Sequence, residues 1–137
     1  MVGAMIDKVG LAVIRDGKLL LVRNAGTEKL LMPGGRREKA ESDVEALVRE
    51  IGEELSCAVI PSTLQFVGTF DDVAANDPGR FVQIRLYTGE LAGNPAPSAE
   101  VAEIVWFDVR FDDNSRLSQI VRRWIIPGLT ALGALPG

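Results

Sequence analysis

Apolar and polar positions recur along this chain with two different periods, and the changes of period mark out its elements. Val9 to Arg15 (VGLAVIR) and Lys18 to Arg23 (KLLLVR) are apolar runs separated by Asp16-Gly17. Two such runs around an Asp-Gly pair predict a β-hairpin with a tight turn. Leu30 to Met32 is a short apolar segment that Pro33-Gly34-Gly35 turns into loop. From Ser42 to Leu55 the period becomes helical, with Val44, Leu47, Val48, Ile51 and Leu55 predicted as one apolar stripe. Ser42 followed by Glu45 reads as a capping box, because each side chain can satisfy the other residue's free backbone amide.

Strand-like alternation returns at Leu64 to Phe70, before a polar stretch, Asp71 to Gly79, that reads as loop. Arg80 to Leu91 predicts a long half-buried strand, Gly93 to Ser98 a loop, and Val101 to Phe107 another strand. After the polar break Asp112 to Ser115, Arg116 to Ile126 is amphipathic. Leu117, Ile120, Val121, Trp124 and Ile125 lie on its apolar side, and Pro127-Gly128 is expected to end it. The apolar, Gly- and Pro-containing tail, Leu129 to Gly137, has no period that assigns it. Strands and helices mix without strict βαβ alternation. An α+β chain is expected, with a mixed sheet and helices packed on it.

Length and composition narrow the function classes. A chain of 137 residues without repeats or a dividing linker is expected to form one domain, residues 1–137. Its 47% hydrophobic and 25% charged residues are ordinary for a folded globular chain. One cysteine, Cys57, excludes an internal disulfide framework, and the absence of histidine excludes His-dependent catalysis and His-ligated metals. The net charge of −4 argues against a nucleic-acid polymer as partner, and no run is long enough to suggest a membrane span. With no targeting signal and one free cysteine, the cytoplasm is the expected location. Chemistry is left to carboxylates, Lys, Arg and backbone amides.

Carboxylates crowd one segment. Glu38, Glu41, Asp43, Glu45, Glu50, Glu53 and Glu54 face only Arg36, Arg37, Lys39 and Arg49. On a helix Glu50, Glu53 and Glu54 project from one side, expected to lie away from the apolar stripe. Glu50 and Glu54 are like charges one turn apart, a pair that costs about 0.2–0.5 kcal/mol unless a cation lies between. Oxygen-only ligands suit Mg²⁺ or Mn²⁺. Three carboxylates by themselves read most simply as a solvated helix face.

The wider spacing changes that reading. Gly35, five residues, Glu41, seven residues, then Arg49-Glu50-Ile51-Gly52-Glu53-Glu54-Leu55-Ser56-Cys57 resembles the Nudix box, G-x5-E-x7-R-E-U-x-E-E-x-G-U with U aliphatic, over residues 35–57. Gly35, Glu41, Arg49, Glu50, Ile51, Glu53 and Glu54 match outright, Cys57 stands in for the last aliphatic residue, and Pro33-Gly34-Gly35 is similar to the family's usual entry. The resemblance implies an α/β/α sandwich, a mixed sheet with helices on both faces. It implies metal-dependent hydrolysis of a nucleoside diphosphate linked to another group. Glu50, Glu53, Glu54 and the Gly35 carbonyl are its implied metal ligands. Glu41 and Arg49 are the implied brace between loop and helix. Glu53 or Glu54 is the implied general base, with Glu100 or Glu103 as loop alternatives. Gly34 and Gly35 let the backbone approach a charged ligand closely.

Departures from the box leave the ligand set whole. Ser56 replaces the glycine near the helix end, where a left-handed cap costs about 1–2 kcal/mol. Gly52 lowers helix propensity, and Leu30 replaces a tryptophan often found before Pro33. Subgroup markers downstream are missing. Asp71 stands where ADP-ribose hydrolases commonly place proline, and Asp72 to Ala74 lacks the tyrosine of dinucleoside polyphosphate hydrolases. The chain is therefore similar, partly by elimination, to MutT-type nucleoside triphosphatases. ADP-ribose or nucleotide-sugar hydrolysis is the alternative, and a non-catalytic nucleotide-sensing module the alternative of another class. Arg23 is a candidate phosphate contact. Phe70, Phe81 and Tyr87 are candidates for stacking on a base, and Asp71, Asp72 and Asp77 for a second acidic site. A monomer or a homodimer through Leu129 to Leu135 is expected.

Overall fold

The computed structural model describes residues 5–137. Strands β1 (Met5–Ala12), β4 (Gly34–Arg36), β5 (Gln65–Val73) and β6 (Phe81–Thr88) form a four-stranded sheet in the order β4-β1-β6-β5. Strands β2 (Ile14–Arg15), β3 (Lys18–Asn24) and β7 (Val101–Phe107) form a second, three-stranded sheet in the order β2-β3-β7. The mixed pairing lies in the first: β1 runs parallel to β6 and antiparallel to β4. The expected mixed sheet is present, and a second, antiparallel sheet accompanies it.

The predicted hairpin shows why. Asp16 (φ 53°) and Gly17 (φ 74°) form the tight turn, both left-handed as its geometry requires. Ile14 and Arg15 pair with β3 through Leu19 and Lys18, and the Val13 carbonyl accepts from Leu20 N–H. The chain before Val13 is claimed along its whole length by β6, so it changes sheet at this point.

Side chains alternate between two cores. Ile6, Ala12, Leu19, Leu21, Ile84 and Phe107 face the C-terminal helical segment, in a core with Ile120, Val121, Ile125, Leu129 and Leu135. Val9, Leu11, Leu20 and Val22 face helix α1 (Asp43–Leu55), in a core with Ala46, Leu47, Ile51 and Leu55. Period-2 alternation with both faces covered gives the sandwich.

Helix α1 begins with the expected capping box: Glu45 N–H donates to Ser42 Oγ, and Ser42 N–H to Glu45 Oε1. It ends on Ser56 in the left-handed region, φ 50° and ψ 37°. The apolar stripe needs correction. Ala46 and Glu54 are buried along with Leu47, Ile51 and Leu55, whereas Val44 and Val48 stay exposed. The helix is turned toward its Glu50–Glu54 side because β4 there is glycine, with no side chain to hold it off.

Further boundaries differ from the expectation. Gly34 and Gly35, expected as loop, pair with Gly10 and Val9 as strand β4. Strand β5 continues through Asp71, Asp72 and Val73, which pair with Gln83, Val82 and Phe81. This is an edge strand, where Asp71 stays in water and the covered Asp72 bonds to Trp124, so polarity misread it as loop. Strand β6 stops at Thr88, and Leu91 instead bridges to Val59. Pro127 does not end the last helix. The chain widens into π-type turns at Val121–Ile125, Ile126 N–H donating to Val121 O, and Pro127 then falls in the first turn of α2 (Ile126–Ala131). There its missing N–H costs little. Trp124 is half-exposed, its Nε1–H donating to Asp72 Oδ2 at 3.0 Å, so the packing side is Val121, Ile125 and Leu129. The unassigned tail contributes buried Leu129 and Leu135. Among the described residues no helix is long and apolar enough to cross a membrane.

Candidate active site

The glycines of β4 create the site. Gly34 has φ 138°, and a Cβ there would collide with the Val9 carbonyl. At Gly35 a Cβ would overlap the Glu50 carboxylate. Without side chains, this strand lets two helix carboxylates reach its backbone. Gly34 N–H donates to Glu54 Oε1 at 2.9 Å, and Glu50 packs against Gly35.

Glu54 is only 7% exposed. Burial pushes its carboxyl up to about 7; the Gly34 hydrogen bond opposes this, the Glu50 charge adds to it, and Lys8 opposes it. Lys8, on β1 beside Arg36, is lowered by its own burial, against the pull of Glu54. The charge of Glu100 is felt by both Glu54 and Lys8, so this carboxylate borders the cluster.

Arg49 organises the solvent side. Its Nε and Nη2 donate to Glu41 Oε2 (2.7 Å) and Oε1 (2.8 Å), and Nη2 also to Arg36 O (3.1 Å). Its Nη1 lies 2.8 Å from Glu50 Oε1 and 3.7 Å from Glu53 Oε1. Glu41 in turn accepts from Glu38 N–H, and the Arg49 bonds bring its carboxyl down to about 2. Arg49 itself is raised, chiefly by Glu41. Loop and helix are thus joined through one guanidinium. Glu53 is mostly in water.

The donor set is all oxygen, and at Glu54 a buried carboxylate faces a second one with only Lys8 to offset it. That excess of negative charge and that ligand chemistry fit a hard divalent cation. As placed, Glu50 is turned to Arg49 and Glu54 to Gly34. Among the described residues no three acidic or cysteine side chains converge as a ready metal cage.

Other candidate residues have different partners. Arg23 Nε donates to Glu103 Oε1 across β3 and β7 at 2.9 Å, and its Nη1 to Thr27 O. Glu103 also accepts from Arg116, and these bonds, that of Arg23 first, hold its carboxyl low. Tyr87 gives its hydroxyl to Asp43 at 2.8 Å and meets Phe66 edge-on. Phe70 packs against the first core, and Phe81 is partly exposed. Asp72 binds Trp124, Asp77 pairs with Arg80, and Asp71 lies on β5, so these acids are dispersed.

Two features had no sequence signal. Arg85 Nε donates to Asp43, Arg85 Nη1 to Asp7, and this group ties the first turn of α1 to β6 and β1. Burial works against the Asp43 charge, but Arg85 and Tyr87 outweigh it and hold its pKa low. Lys8 lies before the predicted strand at Val9 to Arg15 and carried no signal. Only its register beside Arg36 brings it to the glutamates.

The NUDIX domain family matches residues 6–120. In three dimensions the chain is similar to a MutT NUDIX hydrolase from Burkholderia pseudomallei, at 24% identity and TM-score 0.72, over 88% of this chain and 95% of that one. It is similar to a NUDIX hydrolase from Nitrosomonas europaea, at 20% identity and TM-score 0.76, over 97% and 93%. An ADP-ribose pyrophosphatase from Streptococcus suis aligns at 20% identity and TM-score 0.65, over 94% and 90%. No curated protein matches in sequence. With the family pattern spanning most of the chain, this protein belongs to the Nudix hydrolases, which act on pyrophosphate bonds.

Proposed function

We propose that the protein hydrolyses a (deoxy)nucleoside triphosphate to the monophosphate and pyrophosphate, using Mg²⁺ or Mn²⁺. The observation that carries this reading is the buried Glu54, under-neutralised beside Glu50 and tied to the Gly34 backbone. Glu50, Glu53, Glu54 and the Gly35 carbonyl would hold the cation. When bound, it supplies neutralisation of phosphate oxygens and a lowered pKa for a coordinated water. Arg49 keeps Glu50 and Glu53 on the same side of α1 as the glycine strand. Lys8 and Arg36 supply positive charge for phosphate oxygens. Glu53 or Glu54 would take the proton of that water as general base. Of the loop alternatives Glu100 is the better base, because a carboxylate held low by two arginines, as Glu103 is, binds a proton weakly.

The missing markers of ADP-ribose and dinucleoside polyphosphate hydrolases favour a triphosphate, and the ADP-ribose pyrophosphatase among the similar structures keeps that substrate as the second reading. The test is phosphate and pyrophosphate release from nucleoside triphosphates, ADP-ribose, dinucleoside polyphosphates and nucleotide sugars, with Mg²⁺, Mn²⁺ or EDTA. Turnover is expected only with metal, and Glu53→Gln should lower it by roughly a hundredfold. Because Glu53 is mostly in water, the variant should fold. A wild type that binds nucleotides but hydrolyses none of them would make the protein a sensing module.

A further inference from the structure

Strand β5 is the outer strand of the four-stranded sheet, so one side of its backbone has no strand beside it. Edges of this kind are normally blunted by lysine, by proline or by being short. β5 runs for nine residues, Gln65–Val73, and contains neither Lys nor Pro. Its one irregularity, the bulge between Phe66 and Gly68, lies at one end. Apolar side chains collect along the same edge. Of the nine large hydrophobic residues exposed among the described residues, Phe66, Val73, Trp124 and Leu132 stand on it or beside it.

These four residues are arranged symmetrically. On the face that carries α1, Phe66 and Val73 mark the two ends of β5, opposite Tyr87 and Phe81 of β6. On the other face the C-terminal helical segment runs along β5 in the opposite direction. Trp124 bonds to Asp72, and Gly128 lies against the Phe70 ring. Leu132, 63% exposed, follows one turn later. Phe70 is thus the centre of both faces. A two-fold axis there sets Thr69 opposite Asp71 of the second copy and Gly68 opposite Asp72. Val73 then meets the bulge at Phe66, and Trp124 meets Leu132, each reciprocally as such an axis requires.

Charge selects the same register. Asp72 has Arg123 at 3.7 Å and Asp77 has Arg80 at 2.9 Å, whereas among the described residues no Lys or Arg pairs with Asp71. Opposite Thr69, Asp71 enters the cross-strand row that continues to Arg85. Two strand spacings separate them, about 10 Å, which is within about one Debye length. A register that set Asp71 against itself would place like charges directly opposite, a destabilising pair.

We infer that β5 pairs with β5 of a second copy of this chain, antiparallel about Phe70, joining two four-stranded sheets into one. The glycine strand β4 lies at the far edge of each sheet, so both carboxylate clusters stay open. The pairing does not depend on which substrate the protein takes.

Sedimentation of the full chain over a concentration series, without nucleotide, tests this. Wild type should pass from one chain to two as concentration rises. Thr69→Asp sets two carboxylates opposite each other at two places in the dimer and should raise its Kd by about tenfold or more. Thr69 is exposed and neighbours Arg85 in its own sheet, so the variant should fold, as far-UV circular dichroism will show. Adding Asp71→Lys sets opposite charges across the same positions and should bring Kd back to within about threefold of wild type. A folding defect would not be rescued in this way. A wild type that stays monomeric at every concentration overturns the inference. So does a dimer whose Kd Thr69→Asp leaves unchanged, or one that Thr69→Asp dissociates and Asp71→Lys does not restore.

Discussion

Arg49 meets Glu41 with two parallel bonds and still reaches Glu50 with its remaining nitrogen. Only a planar guanidinium has enough donors in that fork; an ammonium makes point contacts. Arg49→Lys is therefore expected to keep the charge and lose the geometry, freeing Glu50 and releasing the Arg36 carbonyl. Activity should fall roughly tenfold or more, as for groups that orient ligands without being ligands. Steady-state kinetics over a metal titration checks this: the metal concentration for half-maximal rate should rise along with the loss of kcat. An unchanged metal response would mean that Arg49 does not position Glu50. At the same scale, Gly35 is fixed by the Glu50 carboxylate lying where its Cβ would be.

Helix α1 carries two residues that a stability-optimised helix would not. Gly52 is exposed, and a Cβ there would meet nothing within 4 Å. Gly52→Ala should stabilise the protein by about 0.8–1 kcal/mol through helix propensity. Ser56 is held at φ 50°, a conformation that suits glycine, so Ser56→Gly should add about 1 kcal/mol. Thermal melts of the two variants should each rise by about 3–5 °C. A lower Tm for Ser56→Gly would show that the serine contributes more than its backbone strain costs. The other helical element has its own compromise. The wide turns at Val121–Ile125 move the chain's register so that Pro127 falls where a helix tolerates it.

Across the whole molecule, ion pairs fasten α1 and its loop to the sheets: Glu41 with Arg49, and Asp43 with Arg85. Both carboxyls have lowered pKa values, so they bind protons less readily folded than unfolded. Their contribution is present above the unfolded pKa, begins to fade as pH falls below about 4.5, and for Glu41 is gone below about 2. Urea midpoints measured at pH 4, 3.2 and 2.5, below the range in which the raised Glu54 carboxyl titrates, should fall in that order. Glu41→Gln should start lower and lose less over the same range. A parallel decline in both proteins would assign the acid lability to other groups.

What the sequence determined by itself was local. The tight turn at Asp16-Gly17, the Ser42–Glu45 capping box, the strand at Val101–Phe107 and the i, i+3, i+4 spacing of Glu50, Glu53 and Glu54 each depend on neighbours a few residues away. The fixed gaps from Gly35 to Glu54 also made the family legible, because a loop and helix that must meet one ligand tolerate little change of length. Tertiary structure decided what depends on partners distant in the chain. It turned α1 so that Glu54 is buried and Val48 exposed, extended β5 along β6, and paired Arg23 with Glu103. It also brought Lys8, Asn24 and Ser118 to one cavity. Periodicity records which positions face inward; it carries no information about which inward groups meet. Those meetings are set by sheet register and by the absence of side chains at Gly34 and Gly35, where the helix comes closest to the strand.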